Sequence, residues 1–252
     1  MFEPQQPTGR APSAPALRLV CLPHAGGSSL PFAGWQTWMP AGVLVLMAAL
    51  PGRGERWREP LPHRFDDLVE DLAGRLAPRL DGPFALFGHS FGALLAFELA
   101  RVLPSMGCQQ PRLLAVAGRN GPALPAAGEP MHALPDREFA AAIRRLGGTP
   151  GDVLDDEDLR ATFAPVVRAD LRLAETYRRR PGPPLCCPVA AYAGVADPLV
   201  DVGGLAAWHG ETTAGAEVSW LEGGHFVLNN PAFRAALVGR LARVMSAGQH
   251  CR

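Results

Sequence analysis

Lysine is absent from this 252-residue sequence; all 24 basic side chains are arginine, balanced by 24 Asp and Glu. With no formal net charge, no overall field draws the chain to nucleic acid or a membrane surface. Long apolar runs are missing too. The longest, Val43–Leu50, falls far short of the roughly 20 residues a membrane-spanning helix needs. The five cysteines contain no Cys-x-x-Cys pair, their number is odd, and Cys186 and Cys187 are adjacent. That pattern suits reduced thiols better than a disulfide framework, and Cys21, inside an apolar run, reads as core filler. His-Glu-x-x-His spacing, Gly-x-Gly-x-x-Gly and the phosphate-cradling loop are absent as well, so neither a metal nor a nucleotide cofactor is expected. Met1–Ala16 is rich in Pro, Gln and Ala without a basic start and apolar stretch, unlike a secretory signal. The expectation is a flexible extension over residues 1–16 on a soluble, cytoplasmic protein.

What is present is a globular composition, 48% hydrophobic and 19% charged, expected to form a single domain over residues 17–252. Leu17–Leu22, Val43–Ala49, Phe84–Phe87, Leu113–Ala117, Val189–Ala193 and Val218–Leu221 are short apolar runs bounded by Gly or Pro, and read as buried strands. Phe65–Leu80, Phe91–Leu103, Leu205–His209 and Pro231–Met245 read as helices; in the last, Phe233, Leu237, Leu241 and Val244 recur at helical spacing. Strand–helix alternation predicts an α/β fold with a mainly parallel sheet flanked by helices. The stretch Gly121–Pro184 breaks the alternation. It offers helices at Asp136–Leu146, Asp155–Phe163 and Pro165–Arg179 and no strand. One crossover needs one helix, so a helical lid insertion over about 121–184 is expected.

The strongest chemical signal is Gly88-His89-Ser90-Phe91-Gly92, between the strand ending at Phe87 and a helix-forming run. Gly-x-Ser-x-Gly in strand–turn–helix context is the nucleophile elbow of the α/β-hydrolase fold. The glycines let strand and helix approach closely, and the helix N-terminus favours a developing oxyanion. A serine needs a base. Of seven histidines, His225 in Leu221-Glu222-Gly223-Gly224-His225-Phe226 follows the last strand and fits the chain order Ser, acid, His. His89 reads as a structural partner and His24 as a loop-orienting hydrogen-bonder. His63, His132, His209 and His250 read as surface residues. Asp197, ending the preceding strand, is the expected carboxylate; Asp201 is a nearer rival that suits a helix cap, and Asp170 a more distant one. The expected oxyanion donors are the backbone N–H groups of Phe91 and of Ala25, in Leu22-Pro23-His24-Ala25-Gly26-Gly27-Ser28. Arg178-Arg179-Arg180 reads as a solvated helix end.

With these residues in place, the sequence resembles the type II thioesterases, the discrete editing hydrolases of polyketide and non-ribosomal peptide synthesis. It is also similar to the medium-chain thioesterases of fatty-acid synthesis. The resemblance runs from about Leu19 to about Ala242. It rests on the elbow, on Leu22–Ser28, on Leu50-Pro51-Gly52-Arg53-Gly54-Glu55-Arg56, on Arg168-Ala169-Asp170 with Glu175 and Tyr177, and on Gly223-Gly224-His225-Phe226. It implies a trans-acting enzyme whose substrate is an acyl thioester on the phosphopantetheine arm of an acyl or peptidyl carrier protein, with the insertion shaping the acyl pocket. A monomer is the default. Three alternatives share these residues: an acyltransferase using the same acyl-serine, a small-molecule esterase, and an inactive scaffold that binds carriers.

Overall fold

The computed structural model describes residues 2–4, 15–126, 128–149, 151 and 155–247. The strands are β1 (Phe2–Pro4), β2 (Leu17–Leu22), β3 (Val43–Ala48), β4 (Phe84–His89), β5 (Leu114–Ala117), β6 (Val189–Gly194) and β7 (Ala216–Leu221). They form one sheet in the order β1-β3-β2-β4-β5-β6-β7. All neighbours from β3 to β7 run parallel; only β1 is antiparallel. The main helices are α1 (Phe65–Leu76), α2 (Phe91–Val102), α3 (Asp136–Leu146), α4 (Glu157–Thr176), α5 (Val202–Ala206) and α6 (Pro231–Ala247).

Each central strand feeds two cores because its side chains alternate between faces. In β4, Phe84 and Leu86 pack with α1 and α2 on one side. Ala85 and Phe87 pack on the other with Trp35 and with Phe233, Leu237 and Leu241 of α6. Those three α6 residues are fully buried at i, i+4, i+8, as the helical spacing predicts. Burying a side chain of this size stabilises by about 1.5–3 kcal/mol.

Two expectations need correction. Residues 1–16 are not wholly an extension: Phe2–Pro4 adds an edge strand to β3, pairing Phe2 with Ala48 and Pro4 with Leu46. An edge position is where a strand tolerates proline, and three residues leave too little pattern to read; residues 5–14 lie outside those described. In the insertion, the two helices expected on either side of Pro165 are one, with Pro165 inside α4. An interior proline costs about 3 kcal/mol, yet Phe163, Val167 and Leu171 share one face across it. That face packs on Phe139 and Ile143 of α3, which offsets the break. Among the described residues, no helix is long and apolar enough to cross a membrane.

Candidate active site

The parallel strands end at one edge of the sheet, and the turns following β2, β4, β5, β6 and β7 gather there. Ser90 occupies the β4–α2 turn with φ 56° and ψ −111°, the only positive-φ non-glycine among the described residues. Such backbone costs on the order of 1–3 kcal/mol and survives because the turn is held on both sides. Ser90 N–H donates to Ala117 O at 2.8 Å, and Ala93 N–H donates to Ser90 O at 3.0 Å. Space explains the flanking glycines. A Cβ on Gly88 would lie 2.1 Å from Gly92 O, and one on Gly92 would lie 2.2 Å from Leu22 O. Phe91 is the first residue of α2, where an N–H has no intrahelical acceptor.

His225 lies past the end of β7. Its Nδ1 is 2.9 Å from Asp197 Oδ2, and both side chains are buried, at 3% and 0% exposure. The other carboxylate oxygen of Asp197 accepts the Leu199 N–H at 2.9 Å. Glycines make room for this pair. A Cβ on Gly118 (φ +64°) would press on the His225 ring at 3.1 Å, and one on Gly194 would strike Gly223 O and Gly224 O at 2.3 and 2.2 Å. Ser90 and His225 line one cavity, with Ala25 and a mainly apolar wall that includes Ile143, Leu146, Phe163 and Val167. A second cavity that Ser90 also lines is more polar, with Arg119, Asn120, Met131 and Glu175 in its wall. Leu171 and Leu199 border both.

His89 supports the site from beneath. It is fully buried, and its Nε2 donates to the backbone carbonyl of His225 at 2.9 Å. Burial, then the neighbouring His225 and His24, hold its pKa well below the ordinary imidazole value. His24 does not orient its loop by hydrogen bonding, contrary to the expectation from sequence. Its Nδ1 is buried without a partner, and its ring packs edge-on against His89 and Phe226. Burial first, with His225 and Arg53, lowers its pKa to about 4.

The rival acids have other partners. Asp201 caps α5 through the Gly204 N–H at 2.8 Å. Asp170, in the middle of α4, accepts from Arg53 Nη2 at 2.8 Å, from Arg53 Nη1, and from the Gly26 N–H at 2.8 Å. One buried carboxylate thus joins three separate stretches of the sequence. Spacing alone does not reveal this, since Arg53 and Asp170 are 117 positions apart. Glu175 accepts from the backbone N–H groups of Met131 and His132 and pairs with the His132 ring, so His132 is half-buried and not a surface residue. Tyr177 O–H donates to Glu98 at 2.6 Å, tying the end of the insertion to α2. The arginine run is also paired: Arg179 with Glu211 and Arg180 with Asp66. Cys21 is buried in the core and its thiol pKa is raised by burial, whereas His250 lies outside the described residues. No cluster of three metal-ligating side chains occurs among the described residues.

A strained serine between strand and helix, beside a buried His–Asp pair on a parallel sheet, defines the class: a hydrolase of the α/β-hydrolase fold. The model of the thioesterase domain family matches residues 17–243. Thioesterase PikA5 of Streptomyces venezuelae is 41% identical, over 85% of this chain and 76% of that protein. Among solved structures, the type II thioesterase BorB from the borrelidin biosynthetic cluster superposes with a TM-score of 0.84 at 38% identity, over 97% of each chain. RedJ, a thioesterase from the prodiginine biosynthetic pathway in Streptomyces coelicolor, gives 0.82 at 39%, over 94% of this chain and 90% of that one. The chain belongs to the thioesterase domain family and is a thioester hydrolase.

Proposed function

We propose that this thioesterase acts in trans on polyketide or non-ribosomal peptide synthases in the cytoplasm, releasing acyl groups from the phosphopantetheine arm of carrier proteins. The observation that carries the catalytic assignment is that His225, hydrogen-bonded to the buried Asp197, lines the same cavity as Ser90. Asp197 accepts Nδ1–H, which leaves Nε2 as the acceptor for the serine proton. His225 takes that proton as Ser90 Oγ attacks the thioester carbonyl carbon. The oxyanion is held by the N–H groups of Phe91 and Ala25. Gly26 N–H is already given to Asp170, which favours Ala25 as the donor from this loop. The C–S bond breaks, the thiol departs with the proton from His225, and acyl-Ser90 remains. Water then gives up a proton to His225, attacks the acyl carbon, and releases the free acid and Ser90.

The carrier-arm substrate is supported by relatives named for such pathways and by the two cavities that meet at Ser90. The apolar one suits an acyl chain, and the one bearing Asn120, Arg119 and Glu175 suits the amides of the arm. The helices α3 and α4 form the lid over the acyl side, and the chain works as a monomer. The test is mass spectrometry of acetyl-, propionyl- and longer acyl-loaded carriers after incubation with wild type and with Ser90→Ala. Wild type should return the free-thiol carrier and Ser90→Ala should not. Intact acyl-carriers with wild type would overturn the substrate, and appearance of acyl on an added alcohol, amine or second carrier would replace hydrolysis by transfer.

A further inference from the structure

The oxyanion loop following β2 is held by a residue of the helical insertion. Asp170 lies wholly buried on α4, and its carboxylate accepts the Gly26 N–H at 2.8 Å. Gly26 also abuts the apolar face of α4: a Cβ there would lie 2.4 Å from Val167 Cγ2, and its φ is +74°. On the other flank, Gly27 N–H closes back onto His24 O at 2.9 Å. Ala25 is therefore bracketed by two fixed backbone contacts, one of them supplied by α4.

A carboxylate one residue along from an oxyanion donor opposes the charge that develops during attack unless that charge is neutralised. Arg53 neutralises it. Its guanidinium grips both Asp170 oxygens, and Nε donates to Pro51 O at 3.2 Å. The Arg53 side chain is only 8% exposed. A planar fork fits a carboxylate in two-point contact, which a lysine cannot reproduce.

We propose that Arg53 and Asp170 are a positioning pair for the transition state: Asp170 sets the Ala25 peptide through Gly26, Arg53 cancels the carboxylate charge, and the loop is in register only when α4 is seated. Neither residue touches the substrate. The inference rests on the assignment of Ser90 and Ala25 above.

The test compares wild type with Asp170→Asn, Arg53→Lys and the double variant Arg53→Gln/Asp170→Asn, on a simple acyl thioester lacking any carrier. Loss of a whole oxyanion donor costs on the order of 10²–10³ in kcat, so a misplaced one in Asp170→Asn should cost roughly 10–10²-fold, with KM nearly unchanged. Arg53→Lys should lose less, and it carries the test if Asp170→Asn fails to fold. The double variant, whose pair is again neutral, should recover part of the Asp170→Asn loss. The discriminating readout is binding of an acyl trifluoromethyl ketone, a tetrahedral mimic, against a non-hydrolysable amide analogue of the thioester. Affinity for the ketone should fall with kcat/KM while affinity for the amide stays level. Equal losses for both, or unchanged kcat in folded variants, would overturn the proposal. If wild type cleaves neither the simple thioester nor an acyl-loaded carrier and does not bind the ketone, the assignment of Ser90 and Ala25 fails; variants that bind ketone and amide with equal losses beside an active wild type overturn the positioning role alone.

Discussion

Two aspartates have side chains fully withdrawn from water, and each holds a cationic or potentially cationic partner. Asp197 faces an imidazole at 2.9 Å; Asp170 faces a guanidinium in two-point contact. Each also accepts a backbone N–H, Asp197 from Leu199 and Asp170 from Gly26. Burial and hydrogen bonding to the backbone therefore do not separate them. The partner does. A guanidinium is a poor proton donor and offers a rigid two-point fork, so the Asp170 pair is suited to holding geometry. Imidazole can accept and return a proton during a reaction, so the Asp197 pair can stabilise a charge that comes and goes within one turnover. On the roles proposed for them, the same residue type at the same depth serves in the one case to move a proton and in the other to keep a loop still.

The proton-handling side should be the more sensitive of the two. Ser90→Ala or His225→Ala should lower turnover roughly 10⁵- to 10⁶-fold, and the double variant should be little worse than either, because the two act as a unit. Steady-state rates on an acyl thioester measure this; additive losses would mean that the residues do not cooperate. Asp197→Asn should lower turnover about 10⁴-fold by offering His225 the wrong tautomer. The loss in Asp170→Asn should be roughly a hundredth to a thousandth as large, since the oxyanion donor is displaced and not removed. Comparable losses at the two sites would erase the distinction between moving a proton and holding a loop.

The acid of the pair with His225 was readable because chain order constrains it. A hydrolase sheet brings the ends of its last two parallel strands together, and both Asp197 and His225 follow such ends. The strands themselves were legible for a related reason: runs such as Leu17–Leu22 and Val189–Ala193 are buried on both faces and nearly unbroken in apolar character. Asp170 was visible only as a remote alternative acid, since no local pattern announces that a helix in an insertion will reach a loop 144 positions earlier. Pro165 misled for the opposite reason. A strong local rule about proline was overridden by an apolar face that exists only once α3 is docked. The half-buried place of His132 was hidden likewise, because it depends on Glu175 being brought back across the insertion.

The histidines give a third, smaller contrast. His24 has its pKa lowered to about 4, chiefly by burial, whereas an unfolded chain holds it near 6.5. Above pH ~6.5 both states are neutral and the group has no effect. As pH falls below that value, the unfolded chain takes up a proton that the folded one refuses. Stability is then lost at up to about 1.4 kcal/mol per pH unit until the folded value is reached. His89, also held low, acts in the same direction. Urea unfolding between about pH 7 and pH 4.5 should show this slope, and His24→Phe should flatten it. An unchanged slope would mean that His24 is not what limits acid stability.

The smallest effect concerns Asp201, the acid nearest in sequence to Asp197. Its side chain accepts the Gly204 N–H at 2.8 Å and is also met by the amide of Asn120 at 3.2 Å, a capping role with no contact to His225. Removing such a cap costs about 1 kcal/mol. Asp201→Ala should therefore lower the urea midpoint modestly while the turnover rate and its pH profile stay as in wild type. A hundredfold or greater loss of turnover with unchanged stability would instead give Asp201 a share in orienting the base. The assignment of Asp197 as sole acid would then fail, even though Asp197 is the carboxylate seen against the imidazole.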